Sequence, residues 1–335
     1  MPGSPYVGSR SCRECHPGEY ALYTRSGHAR TLHTAEKTRL AQKLDGRVVP
    51  DPERPDVTWS YALRKGRLNL ERSERGTTER FVADYAFGSG HHATTFVTVI
   101  DPEKPRVLEH RLTHYTRDDS LGITPGQRAA NPDVGTTPHG RELSPRETLK
   151  CFQCHATRAA PEAGRDSDTA DLIANVTCER CHGPAQAHVE AARAGREDLS
   201  MPFGLGGWTA ESQMALCGQC HRHPSKASPG QIRPDDPAIT RFQPVGLMQS
   251  KCYTQSAGGL SCVTCHDPHA RASSDRTSYE AVCLECHRAT PQTICSVSPE
   301  RGCIDCHMPR RDSGQKILFT DHWIRINAAR DVGSQ

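Results

Sequence analysis

Leu260-Ser261-Cys262-Val263-Thr264-Cys265-His266-Asp267-Pro268-His269 decides how this chain is read. Its centre is Cys-x-x-Cys-His, the attachment signature of c-type haem. On a helical turn, positions i, i+3 and i+4 share one face. Both thiols can therefore bond one porphyrin while the histidine binds its iron from one side. The pattern occurs seven times: Cys12, Cys15 and His16; Cys151, Cys154 and His155; Cys178, Cys181 and His182; Cys217, Cys220 and His221; Cys262, Cys265 and His266; Cys283, Cys286 and His287; Cys303, Cys306 and His307. Structural zinc also uses Cys-x-x-Cys pairs, but it does not require a histidine directly after each one. The expected cofactors are seven covalently bound c-type haems with their iron, and a pyridine haemochrome spectrum checks this.

Composition agrees. The chain has 335 residues, of which 35% are hydrophobic and 5% aromatic. Ordinary globular chains carry roughly 45–50% apolar residues. A core of aliphatic and aromatic side chains alone is thin here, so porphyrin plates are expected to complete it. The haem-free chain is then expected to be largely unfolded, as metal-organised domains are. The 42 basic and 39 acidic residues leave a net charge of +3, which gives no case for nucleic acid. No run of 18 apolar residues is present, so no transmembrane helix is expected. Haem attachment takes place outside the cytoplasm, and a periplasmic or otherwise extracytoplasmic location follows. The start, Met1-Pro2-Gly3-Ser4-Pro5, shows no basic and apolar leader. A mature, trimmed or differently started form is the expectation. The motifs use 14 of 16 cysteines. Cys252 and Cys295 remain, either as a disulfide or as two unpaired buried thiols.

Motif spacing gives a domain map. One motif lies in 1–56, and 134 residues separate His16 from Cys151. Residues 57–120 read as a β insert, 121–150 as a linker and 151–335 as a six-haem domain. The fold class expected is mainly α and irregular, haem-organised, with a small antiparallel β insert. Leu22, Leu32, Ala35, Leu40 and Leu44 give 17–45 roughly helical spacing. Val57 to Leu63, Leu68 to Leu70, Phe81 to Tyr85, Thr94 to Ile100 and Val107 to Tyr115 are rich in Thr, Val and aromatic residues. They predict a sheet of about four strands, covering haem edges. Asp171 to Cys178, Glu211 to Cys220 and Thr277 to His287 predict helices.

Seven irons need seven distal ligands, and eleven histidines lie outside the motifs. His28, His92, His139, His188, His269 and His322 are the candidate distal ligands. His91 is an alternative to His92, because Gly88-Ser89-Gly90 before them allows close approach to a ring. His269 follows His266 too closely to cap the same iron and is expected to serve a neighbour. Asp321 is placed to orient His322. The roles of His33, His110, His114 and His223 stay open. Beyond Met1, only Met201, Met214, Met248 and Met308 could compete, so mostly bis-histidine ligation is expected, with lower potentials than methionine gives. One or two five-coordinate irons would offer a place for catalysis.

Several stretches resemble the multihaem cytochromes related to the tetrahaem cytochrome of ammonia oxidisers and to octahaem hydroxylamine oxidoreductase. They are Ser11 to His28, Gly88-Ser89-Gly90, Cys178 to Pro184 with His188, Ser250-Lys251-Cys252, Leu260 to His269, Cys303 to Pro309 and Thr320-Asp321-His322. The resemblance implies extracytoplasmic electron transfer and supports His28, His188, His269 and His322 as distal ligands. Members often carry fused tetratricopeptide repeats. This chain stops soon after His322, so partner recognition through such repeats is not expected. Redox proteins are the expected partners, a membrane-associated electron-transfer complex being one setting. Closely spaced haems predict an electron carrier. The alternative is a redox enzyme with an open iron, acting on a small nitrogen or sulfur compound. Against it, no Cys-x-x-Cys-Lys variant occurs, the form found at the active haem of pentahaem nitrite reductase.

Overall fold

A computed structural model of the chain describes residues 5–101, 106–127, 136–158, 172–199, 208–226, 236–288, 294–313 and 316–327, with 201, 230 and 232–234. The chain divides into two compact units, 1–203 and 204–335. The division falls inside the segment expected to be one six-haem domain.

Unit 1 is far richer in strand than the sequence led us to expect. Strands β2 (Val48–Pro50), β3 (Val57–Arg64), β4 (Arg67–Glu74) and β5 (Thr77–Ala83) form a four-stranded antiparallel meander. A second, seven-stranded sheet has the order β1-β6-β7-β8-β11-β10, with β9 also on β8. Its strands are β1 (Leu32–Thr34), β6 (Tyr85–Phe87), β7 (Ala93–Asp101), β8 (Arg106–Tyr115), β9 (Ser120–Ile123), β10 (Thr136–Thr137) and β11 (Gly140–Leu143). The antiparallel β region is therefore larger than a single small insert, and the mainly α expectation holds only loosely. The sheets begin at Leu32, within the expected N-terminal segment, and reach Leu143, within the expected linker.

The run 17–45 is not one helix. It divides into α2 (Pro17–Tyr23), a 3-10 turn at His28–Arg30, β1, a second 3-10 turn at Ala35–Lys37 and α3 (Arg39–Leu44). Leu32 and Thr34 pair with Phe87 and Tyr85 of β6, so a long-range ladder overrides the local helical spacing. Asp171 lies outside the described residues. The rest of that expected helix holds the strand Ile173–Ala174, which pairs with the strand Ala156–Arg158.

Alternation along β3 and β4 turns Val57, Trp59, Tyr61, Leu68 and Leu70 inward, where they meet Ala83, Ala86, Phe96 and Leu112. Both sheets and α3 share this core. Buried Arg111 of β8 binds the Asp51 carboxylate at 2.7 Å, and the Trp59 indole donates to the same group. Paired this way, neither ion is left bare in the interior.

His110 of β8 is 1% exposed. Burial, with a smaller contribution from His139, lowers its proton affinity from 6.5 to about 3. The unfolded chain therefore protonates first, and stability is lost as pH falls from about 6.5 towards 3. We expect unit 1 to lose up to about 1.4 kcal/mol per pH unit in that window. Melting curves followed by circular dichroism should show this slope in the native chain and a flatter one in His110→Phe.

Among its described residues, unit 2 buries few apolar side chains. Its main helices are α7 (Ala210–His221), α8 (Gln243–Gln249), α9 (Lys251–Gln255), α10 (Cys262–Cys265), α11 (Arg276–His287) and α12 (Cys303–His307). Its described buried hydrophobic side chains are Met214, Ile239, Val245 and Leu247, whereas α11 buries only Glu280.

Candidate haem sites

Helices build six of the motifs and a turn builds the other. In unit 1, α1 (Ser9–Cys12) ends at the first cysteine, and the His16 amide bonds the Cys12 carbonyl at 2.8 Å. The helix α4 (Pro145–His155) ends in its motif, and α5 (Cys178–His182) is its motif. In unit 2, α7 and α11 end in theirs, α12 is one, and α10 carries Cys262 and Cys265 with His266 as its C-cap. Ser144, Thr209 and Asp275 cap α4, α7 and α11 through their side chains. A Ser–Thr box, Ser261 with Thr264, does the same for α10.

The histidines carry a ligand's signature. When Nδ1–H donates to a carbonyl, the Nε2 lone pair is left for a metal. Nδ1 of His155 meets the Thr31 carbonyl at 3.0 Å, that of His307 the Arg325 carbonyl at 3.1 Å, and that of His221 the Gln243 side-chain oxygen at 3.2 Å. Outside the motifs, His188 donates to Leu199 at 2.7 Å and His322 to Thr320 at 2.9 Å. Burial pushes the proton affinity of His322 down to about 4, against the opposing Thr320 bond, so its ring is neutral.

In two places a motif histidine and a histidine outside the motifs bring their rings close together. The rings of His16 and His188 lie 6.4 Å apart, centre to centre, and those of His266 and His322 lie 6.2 Å apart. A metal–imidazole bond of about 2 Å, with the ring centre roughly 1.1 Å behind the nitrogen, puts two rings on one metal about 6.2 Å apart. The donors and the gap fit a haem iron between each pair.

Motifs also meet each other. Cys12 is hydrogen-bonded to Cys178, and Cys217 to Cys262. Sharing a proton raises the Cys12 and Cys262 thiols and lowers those of Cys178 and Cys217. Cys283 and Cys303 are close enough to repel as thiolates, and Arg276 of α11 pairs with Asp305 of α12 beside them. First cysteines thus meet in two pairs, and a third pair, Cys283 and Cys303, sits on neighbouring helices joined by Arg276 and Asp305. Cys252 and Cys295 are both free and half-buried. Cys252 lies near Cys286, while Cys295 lies near Cys303 and accepts from the Ser298 amide, so of the two readings the structure has the unpaired thiols.

The other candidates have distinct settings. The His28 carbonyl accepts from Val176, just before α5, and Thr31 holds His155, so the turn at 28–31 bridges two motifs. His91 and His92 lie on the turn between β6 and β7, ring against ring at 4.5 Å. Gly88 there answers to the backbone, since a Cβ would stand 2.2 Å from the Ala93 carbonyl oxygen. His139 stands beside Phe81 and 3.5 Å from Glu79, in the β layer. His269 bonds Asp267 at 3.1 Å. His114 pairs with Asp119, and His223 packs on Gly218 inside the fourth motif. Asp321 does not hold His322. It is buried, and it binds Arg311 and Arg325 and accepts from the Trp323 amide.

Sequence reasoning missed Glu179, Glu280 and Tyr279, and weighed Met214 only as an iron ligand. Tyr279 reaches Nδ1 of His266 at 3.4 Å. Glu179 had one visible signal, a charged side chain between the cysteines of its motif. Glu280 and Met214 had another: both lie three residues before a first cysteine, one helical turn away.

Several known proteins are similar to this chain. A family model described as cytochrome c554 and c-prime matches residues 11–54 and 127–183, and a doubled CXXCH motif model matches 255–292. The dissimilatory sulfite reductase MccA of Wolinella succinogenes is 21% identical over 91% of this chain and 50% of its own length. The multihaem cytochrome MtrA of Shewanella baltica is 24% identical over 57% of this chain and 65% of its own. The chain thus spans between half and two thirds of the curated relatives it matches. Among solved structures, the outer cell wall cytochrome OcwA superposes with a TM-score of 0.51 at 15% identity, over 96% of this chain and 80% of OcwA, a likeness of fold. Among the described residues, no helix is long and apolar enough to cross a membrane. The chain repeats the covalent haem signature and is similar, over parts of its length, to cytochrome c554 and doubled CXXCH models and to a multihaem cytochrome.

Proposed function

We propose that the chain is a heptahaem electron carrier of the periplasm or another extracytoplasmic compartment, with mostly bis-histidine irons. The observation that carries this reading is the gap between His16 and His188, repeated between His266 and His322. Each bound haem supplies a one-electron iron couple. The chain's own residues attach the rings through seven cysteine pairs and fix the imidazole tautomers through Thr31, Arg325, Leu199 and Thr320. Meeting first cysteines bring neighbouring attachment points together, as short electron-transfer steps need. The match at 11–54 and 127–183 supports a lineage with the tetrahaem cytochrome of ammonia oxidisers. Redox proteins are the partners of this reading, and likeness to a multihaem cytochrome supports a place in a larger electron-transfer complex.

A second reading rests on the likeness to a sulfite reductase along 91% of the chain. In it, one iron is open and acts on a small sulfur or nitrogen compound. Mixing the fully reduced holoprotein with sulfite, then with nitrite, separates the two. A carrier keeps its ferrous absorbance. Rapid multi-electron reoxidation matched to product formation assigns the enzyme.

A further inference from the structure

Each of these three motif pairs has one buried side chain set against it, two of them carboxyls and one a thioether. In unit 1, Glu179 is 3% exposed. Its Oε1 accepts from the amides of Val7 at 2.9 Å and Ala185 at 3.0 Å, and its Oε2 from Gly8 at 2.9 Å. Three backbone donors converge on this one carboxyl, a geometry that suits a carboxylate acceptor. Glu179 directly follows Cys178, which touches Cys12, so this charge sits where two haems attach. In unit 2, Glu280 is 8% exposed, and its Oε1 faces the Ile304 amide at 3.5 Å, between Cys283 on its own helix and Cys303 on α12. The remaining pair, Cys217 with Cys262, has Met214 instead, fully buried with its sulfur 3.4 Å from that of Cys262. Met214 and Glu280 hold the same place in their helices, three residues before the first cysteine.

Ferric haem carries one more positive charge than ferrous haem. A fixed anion in a low-dielectric setting stabilises the ferric form and lowers the potential, whereas a thioether does not. We propose that Glu179 and Glu280 are potential-setting residues. They hold the haem pairs attached at Cys12/Cys178 and Cys283/Cys303 below the pair at Cys217/Cys262, which Met214 leaves as the high-potential step. The proposal rests on the carrier reading and adds a direction to it: electrons collect on the Cys217/Cys262 pair.

Spectroelectrochemical titration of the holoprotein tests it. Glu179→Gln and Glu280→Gln keep size and shape while removing the charge. Each should favour reduction of at least one component about tenfold, a rise of about 59 mV for a one-electron couple. Met214→Glu should move a different component down by a similar amount. Haem content and circular dichroism show that each variant is intact. Should Glu179→Gln lose haem because its tether to Val7 and Gly8 fails, Glu280→Gln decides alone, since Glu280 holds only one backbone amide. Components that stay within a few millivolts in intact variants, or move the other way, overturn the proposal. Low-spin spectra alongside unmoved potentials would leave the carrier reading standing while this one falls. Moved potentials alongside a high-spin iron would do the reverse.

Discussion

The full chain, produced where no haem is attached, is expected to lose the helical far-ultraviolet signal of residues 204–335 while keeping the strand signal of unit 1. The reason is where the apolar contacts lie. The clusters built on Trp59, Tyr61, Phe96, Leu32, Phe152 and Val97 all belong to unit 1. Unit 2 offers Met214, Ile239, Val245 and Leu247 among its described residues. Each such side chain contributes about 1.5–3 kcal/mol when buried, whereas each ordered residue costs about 1–2 kcal/mol of backbone entropy. Its longest described helices, α7 and α11, have 12 residues each, short of what holds alone in water. Bound porphyrin must provide the missing surface. Hydrogen exchange on the haem-free chain should show fast exchange throughout 208–327 and protection in β3, β4, β7 and β8. Protected α7 and α11 amides in the haem-free chain would contradict this. The sequence expectation of a largely unfolded haem-free chain is thereby narrowed to the second unit and the motif helices.

Removing one distal histidine should change one iron and leave the others alone. In His188→Ala and in His322→Ala, the facing ring at about 6 Å disappears and Nε2 is lost as a donor. Each variant should keep its haem content, because the thioethers remain. Each should gain a high-spin ferric signal of about one iron and bind about one carbon monoxide per chain when reduced. His114→Ala serves as the control, since that ring pairs with Asp119. A His188 or His322 variant that stays wholly low-spin removes that residue from the ligand set.

The motif helices were legible because their information is local. A cysteine pair, the next histidine and a capping Ser, Thr or Asp all lie within one or two turns. The β layer was legible as strands but not as two sheets. Alternation in Val57 to Leu63 shows which face is inward, yet not that β5 ends one sheet and β6 continues another. Leu32-His33-Thr34 was hidden, since Leu32, Ala35 and Leu40 also suit a helix, and only pairing with Tyr85 and Phe87 decides between them. Facing histidines are the extreme case. His16 and His188 are distant in sequence, so local spacing cannot join them. Asp321 was misread for the opposite reason. Proximity in sequence made it the natural partner of His322, but the Arg311 and Arg325 guanidiniums compete for its buried carboxylate and win.

Electron paramagnetic resonance of the fully oxidised holoprotein tests the central claim most directly. If the chain is a carrier with both axial faces of its irons filled, the spectrum contains low-spin ferric signals alone, integrating to about seven irons per chain. A high-spin ferric signal amounting to one iron per chain would contradict the account and place an open site in this protein.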